Sequence, residues 1–489
     1  MYFKGLLGYL PANILQGLIG FATLMVFTRV LTPEQYGEYA LAYGMGSLAQ
    51  TSFFTWLEAS MARFYPADGR DDPEAPALFG TIYRLHIAVI VIFAISCALG
   101  LWLWPGHGPL KMALGISLGC VVPRSLAKMV QEQRRSEGRV AQATLIDMAQ
   151  TAGGFAIGIA CALAGIGGAS PVLGAGVIAL ICLPFIVRED WGRAVRGHFD
   201  PKRARLYAHY GFPVSASLIL TLALYTADRF LIAHYLDDAQ AGAYHAGFSL
   251  ASRILDVLFV WFGAAGTPAM VHALESGGEP ALRQTARQQL TTMAFILFPA
   301  VGGLIMVAPS LGGFLIGEGL RQQALMVTPL ISAGALFSGL NTYYFLQAFT
   351  LAKRTRLLVV AMAIPAISNI ALNVILIPRM GLMGAAVASA ASFALGLAGS
   401  WMLGRKALAL PVPLIELTRI GLCTAAMMAV VAATPSLFGG LLDAAIKATA
   451  GGCVYAALAW LLDLNGVRAL AAPMIDRLRR KISPQGAAS

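Results

Sequence analysis

Fourteen apolar stretches, each about as long as a bilayer is thick, recur along this chain and leave it few ways to fold. A helix needs about 20 mostly apolar residues to cross the hydrocarbon core. The stretches run over roughly 6–30, 37–61, 80–104, 110–130, 142–164, 171–188, 209–233, 242–271, 289–310, 326–350, 357–377, 382–403, 414–434 and 440–462. Composition agrees: 58% of the residues are hydrophobic and 12% charged, against roughly 25% charged in soluble domains. That apolar surface is too large for one aqueous core, so lipid is the solvent for most of it. The sequence therefore predicts an all-α integral membrane protein of about 14 transmembrane helices.

The formal charge of +11 would point to nucleic acid in a soluble protein. Here the basic residues sit between apolar segments, which makes membrane lipid the expected partner and excludes nucleic acid. An even number of spans puts both termini on one side. With the N-terminus cytoplasmic, the inner face collects Arg63, Arg70, Arg134, Arg135, Arg139, Arg188, Arg193, Arg196, Lys353, Arg354, Arg405, Lys406 and the tail Arg477 to Lys481. The other face holds Lys111, Arg321, Arg379 and Lys447, with Arg29 and Arg229 at span ends. This asymmetry predicts cytoplasmic N and C termini. The apolar run after Lys4 reads as the first span rather than a cleaved leader.

The joint between the first two spans is echoed about 200 residues later. Leu31 to Leu41, LTPEQYGEYAL, aligns with Leu236 to Ala246, LDDAQAGAYHA, and Leu, Gln, Gly and Tyr recur at the same offsets. A helical hairpin repeated at the start of each half predicts two related bundles. A second echo pairs Val172–Val177 with Leu382–Val387, where small residues let helices approach closely. The basic stretch Arg188 to His209 reads as the linker, and the last two spans fall outside the repeat. The expected organisation is a six-helix lobe over 1–190, a cytoplasmic linker over 191–208 and a second six-helix lobe over 209–405. Two additional helices over 406–465 and a basic cytoplasmic tail over 466–489 follow.

Catalytic chemistry is not supported. No GxxxxGK[ST], HExxH or CxxC occurs, and the His residues are scattered. The six Cys residues lie inside apolar segments without ligand spacing, so neither a metal nor a disulfide is implied. No cofactor is expected. The informative residues are polar groups inside spans, which normally face a cavity or one another. Arg253 lies ~16 Å from the end of its span, near the midplane, with Asp256 at i+3 on the same face. Arg124 lies deep in span four, just after Pro123, and Asp147 lies in span five. Asn341, Tyr343 and Gln347 line part of span ten; Asn369 and Asn373 stand at i,i+4 in span eleven; Gln16 is mid-span in span one. The functional reading is a hydrophilic cavity between two halves, with midplane Arg receiving an anionic group. The plainer readings are a structural Arg253–Asp256 pair, Asn369 and Asn373 as interhelical hydrogen-bonding groups, and Arg29 snorkelling to the interface. Asp228 and Arg229 read either as a gate pair or as an interface anchor.

Several of these segments resemble one known family. Thr28 to Tyr39 resembles the first hairpin of polysaccharide and oligosaccharide-lipid flippases, and Ala227 to Ile232 followed by Gly242-Ala243-Tyr244 resembles their seventh span and its outer turn. Arg134 to Arg139 is similar to the basic loop after their fourth span. Ile377 to Gly381 with Gly384-Ala385-Ala386 is similar to their turn between spans eleven and twelve. The resemblance extends to about residue 405, within a superfamily that also holds multidrug exporters and lipid II flippases. It implies two pseudo-symmetric six-helix lobes around a central cavity plus two C-terminal helices, alternating access, and a bacterial inner membrane. It further implies transfer of a lipid-diphosphate-linked oligosaccharide from the cytoplasmic to the periplasmic leaflet.

On that reading Arg253 and Arg124 are the diphosphate-binding candidates, since the planar guanidinium binds phosphate bidentately. Asn341, Tyr343, Gln347 and Asn369 are the sugar-binding candidates. Asp147, Asp256, Asp228, Arg229 and Arg29 are the coupling or gate candidates. A glycan polymerase or initiating glycosyltransferase of the same pathway is the implied protein partner. The alternative classes are a multidrug or small-solute antiporter of the same superfamily, a membrane glycan polymerase or ligase, and a non-transporting scaffold.

Overall fold

The structure is a computed structural model and describes residues 2–68, 75–104, 108–436 and 439–469. Arg70 and the basic segment Arg477 to Lys481, with most of the expected tail over 466–489, lie outside the described residues. The chain is built from helices: α1 Tyr2–Val30, α2 Pro33–Phe53, α3 Thr55–Asp68, α4 Ala75–Leu103, α5 Pro109–Ser136, α6 Val140–Leu163, α7 Ser170–Arg196 and α8 Pro201–Tyr235. The second part holds α9 Asp238–Leu315, α10 Glu318–Leu340, α11 Gln347–Leu351, α12 Thr355–Met380, α13 Leu382–Ala407, α14 Leu414–Ala433 and α15 Gly440–Leu461.

Among the described residues, 12 helical stretches are long and apolar enough to cross a membrane. They correspond to the fourteen expected segments. The 78 residues of α9 contain two of those segments, separated at Gly278, where φ is 65°. The expected second span is divided between α2 and α3, and Glu34, Gln35, Glu38 and Gln50 make its first part too polar for that criterion. The abrupt joint expected at Gly165 to Ser170 is a short 3₁₀ turn, Gly167–Ala169. Gly165 and Gly167 enter it at positive φ, where only glycine is relaxed. The basic stretch between spans six and seven is mostly helical: α7 ends at Arg196, and Asp200 caps α8 by accepting from the Lys202 amide at 2.8 Å.

The repeated motif has a physical explanation. Thr32 and Gln35 form a capping box, with the Gln35 amide donating to Thr32 Oγ1 at 3.3 Å and the Thr32 amide donating to Gln35 Oε1 at 3.2 Å. The second copy caps α9 in a related way: the Gln240 amide donates to Asp237 Oδ1 at 2.7 Å and its side chain to Oδ2 at 2.8 Å. The recurring Tyr39 and Tyr244 are both buried. The recurring glycines meet each other. A Cβ added at Gly242 lies 2.8 Å from the Gly37 nitrogen, and one added at Gly37 overlaps the Asp238 carbonyl oxygen. The starts of α2 and α9 therefore touch backbone to backbone. The second echo is a packing feature too, because a Cβ at Gly174 overlaps the Gly154 carbonyl between α6 and α7.

The chain forms two compact units. The first comprises Met1–Arg253, Leu315–Val327 and Pro365–Ser392; the second comprises Ile254–Phe314, Thr328–Ile364 and Phe393–Ser489. In the first, Trp56, Leu57, Met61, Tyr65, Phe79, Tyr83 and Tyr207 make an aromatic-rich core among α3, α4 and α8. The opposite face of α4 leaves Ile92, Ile95 and Leu99 more than half exposed, as lipid contact requires. In the second unit, Ala294, Ile420, Met427 and Tyr455 pack α9 against α14 and α15, and the Tyr455 hydroxyl donates to the Phe295 carbonyl at 2.9 Å.

The basic loop after α5 is an ion-pair network. Arg134 is 4% exposed and pairs with Glu137 at 3.3 Å, Glu189 at 3.0 Å and Asp190 at 3.8 Å. Arg139 and Arg193 also reach Glu137, at 3.2 and 3.3 Å. Burial pushes the Glu137 carboxyl up, but hydrogen bonds from Tyr65, Arg193 and Arg139 outweigh it and hold Glu137 below the ordinary value of 4.5. A depressed carboxylate stabilises the fold fully above its unfolded pKa and loses that contribution as pH falls through the folded value. Glu137→Gln is expected to destabilise the protein by about 2–3 kcal/mol near neutral pH. Thermal unfolding in detergent should show that gap narrowing only below the ordinary carboxylate range.

Candidate functional cavity

A cavity of about 300 Å³ lies within the first unit. It is lined by Gln16, Gly20, Thr23 and Phe27 on α1, Tyr39 and Tyr43 on α2, and Arg124 on α5. Gln150, Thr151 and Phe155 on α6, Val172 and Ala175 on α7, and His245 and Arg253 on α9 complete most of the wall. Arg124 and Arg253, far apart in sequence, thus stand in one wall. No carboxylate is among the described lining residues. Guanidinium groups that share a partly desolvated wall with no carboxylate attract anions, and phosphate oxygens match their donor geometry.

Local packing explains how Arg253 is held. Its guanidinium lies against Gly20, where a Cβ would overlap Nη1. Its Nε is buried without a hydrogen-bond partner. Gln150 Nε2 and His245 Nδ1 are likewise buried and unpartnered. Native interiors seldom leave such groups unsatisfied, and these three belong to residues that line the cavity. Asp147 is beside the cavity rather than in its lining, and accepts from Gln16 Nε2 at 2.5 Å.

Asp228 occupies a different place in the same unit. Its carboxylate, 4% exposed, accepts from the Tyr244 hydroxyl at 2.7 Å, the Ser389 hydroxyl at 2.5 Å and Asn373 Nδ2 at 2.8 Å. Asn373 also donates to the Asn369 carbonyl at 2.9 Å, and Asn369 Nδ2 to Ser392 Oγ at 3.4 Å. One carboxylate thereby joins α8, α9, α12 and α13. Arg229 has other partners: it donates to the Tyr225 carbonyl at 2.8 Å and lies 4.7 Å over the Phe248 ring. Arg29 is exposed and donates to the Met25 carbonyl at 2.7 Å.

The remaining sequence candidates belong to the second unit. Asn341 and Tyr343 sit in a turn of π-helix, Asn341–Phe345, between α10 and α11. Such turns shift side chains out of helical register and are frequent at functional sites. Asn341 is 7% exposed with Oδ1 unpartnered, and Tyr343 stacks on Phe259 at 5.8 Å. Gln347 Nε2 donates to the Thr342 carbonyl at 3.2 Å, and Asp256 is exposed. A second cavity of about 340 Å³ in this unit is lined mainly by apolar residues, among them Leu304, Val307, Met427, Val431 and Tyr455, with Lys447. Its chemistry suits an apolar chain.

The sequence reading missed Tyr39, Tyr43, Gln150 and His245. A signal existed: Tyr36, Tyr39 and Tyr43 recur at i, i+3 and i+7, which places them on one helical face.

A family model described as polysaccharide biosynthesis protein matches residues 26–323. Curated proteins give no sequence match. Among solved structures, the chain is similar to a lipid II flippase, MurJ, in an inward closed conformation. The TM-score is 0.75 at 14% identity, over 93% of this chain and 98% of that one. It is also similar to an inward-facing multidrug resistance transporter of the MATE family and MOP superfamily. There the TM-score is 0.65 at 13% identity, over 85% of this chain and 98% of that one. The MATE multidrug transporter DinF-BH is similar with a TM-score of 0.53 at 16% identity, over 81% of this chain and 94% of that one. At these identities the likeness establishes the fold.

Proposed function

The chain belongs to the polysaccharide biosynthesis protein family, and on that premise we propose that it is a flippase for polyprenyl-diphosphate-linked oligosaccharide. The observation that carries this reading is the cavity wall holding Arg124 and Arg253 with no carboxylate among its described lining residues. A diphosphate supplies the negative charge that such a wall lacks. The headgroup enters from the cytoplasmic side while the polyprenyl chain stays in lipid, and the lobes over 1–190 and 209–405 rock to open the periplasmic side. Both termini are cytoplasmic, and the membrane is the bacterial inner membrane. The protein catalyses no covalent step; it hands its cargo to a polymerase of surface or exopolysaccharide synthesis.

In this reading the Gly37–Gly242 contact is the closed outer gate, and it parts when the cavity opens outward. The Asp228 cluster ties four helices together and is the place where a coupling proton or cation would alter their packing. Asn341 and Tyr343, in their π-turn, are sugar-contacting candidates from the second unit. Gly20→Ala crowds the Arg253 guanidinium. It is expected to weaken inorganic diphosphate binding by about tenfold, the loss of one charge-assisted hydrogen bond, with little change in thermal stability. Equilibrium binding to the purified protein measures this.

Deletion of the gene followed by extraction of lipid-linked intermediates tests the function. Accumulation of a polyprenyl-diphosphate oligosaccharide with loss of surface polysaccharide supports it. Unchanged intermediates with new sensitivity to cationic dyes overturn it in favour of a multidrug exporter.

A further inference from the structure

Beside the arginines, one end of the cavity is aromatic. Tyr39 and His245 have ring centroids 5.9 Å apart at 72°, and Tyr43 and His245 are 6.5 Å apart at 37°. Tyr36 backs the group at 5.8 Å from His245 and is itself 1% exposed. Tyr39, Tyr43 and His245 all line the cavity, and Tyr43 is 44% exposed, so much of its surface is open. His245 is 8% exposed, yet its Nδ1 has no hydrogen-bond partner. Gln150 on the adjoining wall leaves Nε2 in the same condition.

This combination has a specific chemical complement. Aromatic ring faces carry negative charge density and attract the weakly positive C–H bonds of an apolar face. A pyranose ring offers such a face, surrounded by hydroxyl groups that donate and accept. An apolar drug satisfies the ring faces but leaves the His245 and Gln150 nitrogens unpaired, which is unfavourable in a desolvated site. Arg253 stands on the same helix as His245, ~12 Å further along it at 1.5 Å per residue. That separation is on the scale of a diphosphate carrying one sugar.

We infer that Tyr39, Tyr43 and His245 form a pyranose-binding subsite that selects the first sugar attached to the diphosphate. The inference rests on the flippase reading and adds the residues that give it sugar specificity. The His245 nitrogen and the Gln150 amide bind sugar hydroxyls while the two tyrosines present ring faces.

The test uses the full-length protein in detergent and four probes: farnesyl diphosphate, and farnesyl diphosphate carrying glucose, galactose or N-acetylglucosamine. At least one sugar-bearing probe is expected to bind at least tenfold more tightly than farnesyl diphosphate. His245→Phe keeps a buried ring but removes the nitrogens; Tyr43→Leu changes a half-exposed side chain. Each should reduce the sugar advantage to less than threefold and leave farnesyl diphosphate affinity as in the parent protein. Retention of the full advantage in both variants overturns the inference, as does the absence of any sugar advantage in the parent; either result leaves the flippase reading standing. Failure of the parent protein to bind farnesyl diphosphate itself overturns the flippase reading, and the subsite with it.

Discussion

Replacing Arg124 and Arg253 together by Ala is expected to reduce glycan export to the level of a strain lacking the gene. Both guanidinium groups line one cavity, on helices α5 and α9, and no described carboxylate shares that lining. Each contributes a charge-assisted hydrogen bond of about 1.5–3 kcal/mol to an anionic headgroup. Single Ala variants should therefore lose about 10- to 100-fold in transport, and the double variant about the product if the two act independently. Lys at either position retains charge but loses the planar fork, so partial rescue is expected. Surface polysaccharide, quantified at matched membrane levels of each variant, is the readout. Wild-type export from the double variant would remove the anion-binding role.

The second large effect is expected at the repeated glycines. Gly37 faces the Asp238 carbonyl oxygen so closely that even a methyl group overlaps it, and the obstructing atom is backbone. No side-chain rotation relieves that clash. Gly37→Val should hold the starts of α2 and α9 apart and reduce transport by at least tenfold. Gly17→Ala is the matched control, since nothing lies within 4 Å of its added Cβ. It should leave transport unchanged and, as a helical Gly→Ala change, stabilise slightly. Loss of the Gly37→Val protein from the membrane, with Gly17→Ala at its normal level, would indicate a folding defect; loss of transport by Gly37→Val at a matched membrane level identifies a conformational contact.

The residues that were legible in the sequence are those whose signal is local. Span length and apolarity mark the helices because the bilayer imposes a fixed thickness. The recurrence of Gln35 and Gln240 marks helix starts because each is hydrogen-bonded to the capping residue three positions before it: Gln35 accepts from the Thr32 amide, and the Gln240 amide donates to Asp237. The Gly37–Gly242 echo was visible as a repeat, but contact between its two copies was not, because nothing in a linear pattern says that equivalent turns touch. Arg124 and Arg253 stood out as charges inside apolar segments. Their presence in one cavity depends on the packing of α1, α5 and α9, with Gly20 admitting the guanidinium. Tyr39, Tyr43 and His245 stand out less, because amphipathic residues near span ends are common in membrane helices. Only the fold shows that they converge. Asn369 and Asn373 were readable as polar, but their hydrogen bonding to Ser392 and Asp228 needed three dimensions. The break of α9 at Gly278 and the polar character of α2 likewise blur the simple span count.

Transport by the purified protein in liposomes tests the central claim most directly. Farnesyl diphosphate carrying a short fluorescent oligosaccharide, made with the glycan that accumulates in the deletion strain, is placed in both leaflets. An enzyme added outside then cleaves the accessible fraction. The account predicts that wild-type protein exposes the inner-leaflet pool, and that the Arg124→Ala, Arg253→Ala double variant leaves it protected, as in protein-free liposomes. Protection of the inner pool by wild-type protein, in vesicles where the same protein moves a cationic dye, would contradict it.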